Sequence, residues 1–126
     1  MKIQFLNDRL APDVESQPCV ELHHWRILVR GNGDMHLAAQ LDSGSLRVTS
    51  RLQCMEVSRG MVRTESGRSY RLCAPPEEDE LLRPLIELNA LRNLLMISGD
   101  VSQAIWNAID AGAWPAGSAV LLPPLQ

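Results

Sequence analysis

The chain has 126 residues, enough for one domain with its own core and no need of disulfide or metal staples. Hydrophobic residues make up 45% and charged residues 21%, a globular composition, and no apolar run reaches the roughly 18–20 residues that a bilayer crossing needs. The net charge of −3 hides a division: residues 26–71 carry eight arginines against four acids, while residues 72–126 carry Arg83 and Arg92 against seven acids.

The opening "MKIQFL" alternates and predicts a short strand, followed by a loop punctuated by Pro12 and Pro18. It lacks a signal-length apolar run, so a cytoplasmic location is expected and a membrane is not. Trp25, Ile27 and Val29 alternate with Arg26, Leu28 and Arg30, and a turn at Gly31–Asp34 leads into a second strand. After a "DSGS" turn at 42–45, "LRVTSRLQCMEV" continues the β pattern with a phase change near Cys54 and Met55, the mark of a bulge. "VRTESGRSYRL" at 62–72 predicts a hairpin. A two-residue Ser66-Gly67 turn would set Glu65 opposite Arg68, Arg63 opposite Tyr70 and Met61 opposite Leu72.

The period then changes. Leu81, Leu82, Leu85, Ile86, Leu88, Leu91, Leu94 and Leu95 form a wide stripe at helical spacing, with Glu77, Glu78, Asp79 and Glu80 complementing the dipole at its start. Pro84 predicts a kink or a restart with itself in the first turn. Ser98-Gly99 reads as the stop, and Asp100 with Gln103 as a capping box for a second helix inward through Val101, Ile105 and Ala108. The tail "AWPAGSAVLLPPLQ" either packs back or meets a partner. The expected fold is α+β, a single domain over 1–126: a β-rich body to residue 75, built as a small antiparallel barrel or curved sheet, a C-terminal α-hairpin over 77–112, and a Pro-rich tail over 113–126.

Residues 25–72 resemble a group of uncharacterised bacterial proteins found on prophages and other mobile elements. The shared features are Trp25-Arg26-Ile27, Val48-Thr49-Ser50-Arg51-Leu52 and the run Arg63-Thr64-Glu65-Ser66-Gly67-Arg68-Ser69-Tyr70-Arg71-Leu72. The resemblance implies a mobile-element setting and carries no activity.

Enzyme motifs are weak. Asp42 in "LDSGS" is similar to the loop of retroviral-type aspartic proteases, which need a second copy to supply the paired carboxylate; Asp-Ser-Gly is also an ordinary turn. His23, His24 and His36 with Cys19 lack the short paired spacings of a zinc site, so no metal and no cofactor are expected. Ser66 has no nucleophile elbow around it, and the glycine loops lack a phosphate-binding lysine. Three cysteines in unpaired spacing predict reduced thiols.

Two binding readings stay open. The leading one is a non-enzymatic protein-binding module acting on a host or phage protein, an anti-defence (anti-CRISPR-like) inhibitor in its concrete form. Its contacts are expected at Trp106, Trp114, Glu77, Glu78, Asp79 and Glu80. The alternative is a nucleic-acid-binding barrel using Arg26, Arg30, Arg63 and Arg71 for phosphates and Tyr70 for stacking. A second copy of the chain also stays open as a partner.

Overall fold

The computed structural model describes residues 19–125, so the expected strand at "MKIQFL" lies outside the described residues. Seven strands and two helices follow. The strands are β1 (Cys19–Leu22), β2 (His24–Arg30), β3 (Met35–Gln40), β4 (Leu46–Glu56), β5 (Met61–Thr64), β6 (Ser69–Leu72) and β7 (Ile97–Asp100). The helices are α1 (Leu82–Asn93), which precedes β7, and α2 (Ser102–Ala111), which follows it. The fold is α+β, a curved, unclosed mixed sheet in the order β1-β6-β5-β4-β3-β2-β7 with two C-terminal helices. Only the β1–β6 pairing is parallel.

Curvature originates in β4. Its first half pairs with β3 and its second half with β5, and the register slips by a residue on each side: between His36 and Ala38 of β3, and between Leu52 and Cys54 of β4 itself. The second slip falls where the alternation changes phase. Such irregularities increase twist and bend the strand, so one eleven-residue strand serves both halves of the sheet.

Three hairpins of the meander share one turn chemistry. The loops Gly31-Asn32-Gly33, Asp42-Ser43-Gly44 and Glu65-Ser66-Gly67 each hold three residues, with the last glycine at φ +94°, +93° and +93°. In each, the residue before the loop accepts from the glycine N–H and donates to the residue after it: Arg30 to Asp34 (2.8 Å), Leu41 to Ser45 (2.8 Å) and Thr64 to Arg68 (3.0 Å). The positive φ is what a type I turn followed by a bulge demands of its third residue. The expected two-residue turn at Ser66-Gly67 is therefore corrected: Arg63 faces Ser69, Val62 faces Tyr70 and Met61 faces Arg71. The extra loop residue slips the register by one and sends Tyr70 inward with Val62, away from Arg63.

The inner face of the curl holds the main core, with Trp25, Ile27, Leu37, Val62 and Ile105 fully buried. α2 closes it, and the tail packs back on the body: Leu122 is buried, and the Met55 N–H donates to the Pro123 carbonyl (2.7 Å). On the outer face, α1 lays Ile86 and Ala90 on Leu28, Ala38 and Val48. The two helices thus contribute to different cores, with a strand between them in the chain. β7 is the reason they do not form the expected α-hairpin. Ser98-Gly99, read as a helix stop, belongs to that strand, which pairs with β2.

Local signals at the helices also resolve. α1 begins after the acidic run, and Pro84 sits in its first turn, where a missing N–H costs nothing. The Asp79 carboxylate accepts from the N–H groups of Leu82 (2.9 Å) and Leu81 (3.0 Å). Asp100 accepts from the Ser102 N–H (2.8 Å), but Gln103 bonds Asn107 instead of completing a capping box.

Candidate functional site

α1 is apolar on two sides. Ile86 and Ala90 take its sheet-facing ridge, yet Leu81, Leu85, Leu88 and Leu91 face solvent, between 47% and 80% exposed. Helical geometry explains the division: at 100° per residue, Leu88 lies opposite the Ile86/Ala90 ridge, and Leu81, Leu85 and Leu91 fall within about 60° of it. An ordinary surface helix would carry charge there.

The stripe continues past the helix end. Leu95 is 74% exposed and Met96 76% exposed. Met96 adopts φ +61°, the only non-glycine among the described residues with positive φ. It is held there because its carbonyl accepts from the Gly31 N–H, while the Arg30 Nε–H donates to the Leu95 carbonyl (3.0 Å). The β2–β3 turn therefore clamps two exposed apolar side chains onto the end of the stripe in an unfavourable backbone conformation.

The acidic run before α1 is mostly structural. Glu77 accepts a short hydrogen bond from His24 (2.6 Å). Glu78 bridges Arg26 (3.2 Å) and Arg83 (2.7 Å), and Asp79 caps the helix. Asp79 is occupied by backbone N–H groups, and Glu80 makes no ion pair among the described residues; at the opposite end of α1 the same holds for Arg92.

The tryptophans sit elsewhere. Trp106 is half-buried against Trp25, ring centroids 6.3 Å apart and tilted by 55°. Trp114 is half-buried against the main core and lines an apolar groove of about 620 Å³ with Met55, Val57, Leu122 and Pro123. Both belong to the inner-face side, whereas the acidic run precedes the outer-face helix, so these six residues do not converge on one surface. The residues that the sequence reading missed are Leu81, Leu85, Leu88, Leu91 and Leu95, which it assigned to an undivided stripe.

Comparison of the chain with protein-family models, with curated proteins and with solved structures finds no match.

The expected arginine face is dispersed. Arg26 is buried, joined to Asp100 and Glu78, and donates to the Glu77 carbonyl. Tyr70 is 3% exposed and takes a hydrogen bond from Arg47, itself buried, so its ring is enclosed in the core and not presented for stacking. Arg30 is engaged at Leu95. Arg63 and Arg71 remain half-exposed on the outward side of β5 and β6. The alternation that put arginines on both faces, combined with the one-residue slip of the hairpin, is what divides the set.

The other candidates resolve into structure. Asp42 occupies a hairpin turn, 82% exposed at its side chain, with His23 3.7 Å away. His36 is buried and bonds the Thr49 carbonyl (2.9 Å), while His24 turns to Glu77. Among the described residues no three His, Cys, Asp or Glu side chains cluster to hold a metal, and no helix is long and apolar enough to cross a membrane. All three cysteines are free thiols.

Proposed function

We propose that the chain is a non-enzymatic protein-binding module whose contact surface is the outer leucine stripe of α1, extended by Leu95 and Met96. One observation carries this reading: a helix already seated on its core by Ile86 and Ala90 spends its opposite face on leucines. Monomeric proteins seldom leave a contiguous apolar patch of this kind uncovered, because each exposed leucine forgoes about 1.5–3 kcal/mol of burial. The stripe lies on a rigid element, and its end is fixed by the β2–β3 turn, so little ordering is needed on contact. An accessory or anti-defence role rests on the resemblance over residues 25–72 alone and adds a setting, not a partner.

The test compares nuclease-treated lysate captured on the wild-type chain and on a Leu85→Glu/Leu91→Glu variant. Both substituted side chains face solvent, so the fold is expected to persist, checked by far-UV circular dichroism. Protein held by the wild type and released by the variant supports the reading. If the variant holds every partner equally, and self-associates to the same degree, the stripe is not a contact surface.

A further inference from the structure

We infer that the occupant of the α1 stripe is a second copy of this chain, paired antiparallel about a two-fold axis at Leu88; this rests on the protein-binding reading above. Three features point to it. The first is the symmetry of the stripe. Leu81 and Leu95 lie seven residues to either side of Leu88, and Leu85 and Leu91 lie three to either side. An axis through Leu88 therefore sets Leu85 against the partner's Leu91 within the helices and brings Leu81 toward the partner's Leu95 just past the helix end, with Leu88 meeting its own equivalent. A two-fold interface requires such a self-complementary patch.

Charge gives the second argument and the direction. The start of the stripe is acidic, with Glu80 in no ion pair among the described residues, and its end is basic, with Arg92 likewise unpaired and Arg30 beside Leu95. Antiparallel packing brings the acidic end of each copy beside the basic end of the other and opposes the two helix dipoles. Parallel packing would place acid on acid.

Size is the third. Leu88 is 47% exposed and the other five side chains by half or more, leaving together on the order of 400–600 Å² of apolar surface. A standard interface removes about 800 Å² from each partner, so the stripe with the stems of Glu80 and Arg92 at its rim comes close to what a stable dimer needs. The twelve residues of α1 give a seam about 18 Å long.

The experiment is sedimentation velocity on the purified full chain over a wide concentration range, with three sets of variants. The wild type is expected to sediment as a dimer. Leu88→Glu puts two carboxylates on the axis and is expected to raise the dissociation constant at least about a hundredfold, an interaction change of roughly 3 kcal/mol, with circular dichroism unchanged. Glu80→Arg and Arg92→Glu should each weaken the dimer, and the double exchange should recover it. In a Cys19→Ser/Cys73→Ser background, Leu88→Cys should form a disulfide with its own copy under mild oxidation, whereas Leu81→Cys should do so only when mixed with Leu95→Cys. A chain that is monomeric throughout, or a dimer indifferent to Leu88→Glu, overturns the inference. If a monomer still binds another protein through α1, self-pairing fails and the protein-binding reading survives; a monomer without any α1-dependent partner defeats both.

Discussion

Arg26 and Asp100 are joined by a hydrogen bond from Nε to Oδ2 at 3.1 Å and an ion-pair contact of Nη2 with Oδ1 at 3.0 Å, across the pairing of β2 with β7. The arginine is buried, and the aspartate side chain is one-quarter exposed. Removing the acid leaves the buried cation with only the exposed Glu78 carboxylate and frees the Ser102 N–H at the start of α2, so Asp100→Ala is expected to cost about 3 kcal/mol. Glu78 also pairs with Arg26 but is mostly exposed, and Glu78→Ala should cost under about 1 kcal/mol. Urea unfolding of both variants decides the matter: equal midpoints would show that the Arg26–Asp100 pair does not hold β7 in place.

Ser102 locks α2 to the sheet. Its side chain is fully buried, and its Oγ accepts from the Ile27 N–H at 2.7 Å. Ser102→Ala leaves that amide without an acceptor in the core and should lower stability by about 1–3 kcal/mol. Thermal unfolding measures it, and protection of the Ile27 amide from hydrogen exchange should fall in parallel. A variant as stable as the wild type would mean that the amide finds another acceptor.

The three loop glycines should behave alike. A β-carbon at Gly33, Gly44 or Gly67 would meet nothing within 4 Å, so substitution there carries a backbone cost and no steric one. Each change to alanine is expected to destabilise by about 1–2 kcal/mol, the cost of positive φ for a residue with a side chain. Denaturant midpoints of the three single variants should agree closely; an unaffected one would mark a loop able to adopt another turn.

Stability of α1 should depend on acid. The N–H groups of Leu82 and Leu81 hold the Asp79 carboxyl below its ordinary value of 3.8. A depressed carboxylate contributes stability fully above that value and loses it as the pH falls through its lower folded pKa. Asp79→Ala should therefore melt below the wild type at neutral pH, with the gap closing as the pH drops under 3.8. A gap that persists in acid would show that the ionised carboxylate is not what caps the helix.

The local chemistry of this chain is readable from its residues, and the long-range chemistry much less so. Turn glycines, the phase change near Cys54 and the position of Pro84 all act within a few residues, and the α+β curved sheet follows from them. β7 is hidden because Ser98-Gly99 has poor strand propensity and gains its place only from pairing with β2. The two sides of α1 are indistinguishable in composition, since both are leucine-rich. Ile86 is buried and Leu88 exposed because Leu28, Ala38 and Val48 lie on one side and no apolar neighbour among the described residues covers the other. Arg26 reads as a surface cation until its acidic partners, distant in sequence, are brought to it.

The parallel pairing of β1 with β6 has a consequence for synthesis. As the chain leaves the ribosome, β3, β4, β5 and β6 can each join the strand made just before, and β7 returns to a β2 already in position. Among the described strands β1 waits longest, because Cys19 pairs with Ser69, fifty residues later. Until then its apolar Val20 and Leu22 are uncovered, and the half of the barrel-like curl that they complete stays open. Nascent chains stalled before β6 should accordingly be the ones that chaperones hold and proteases cut.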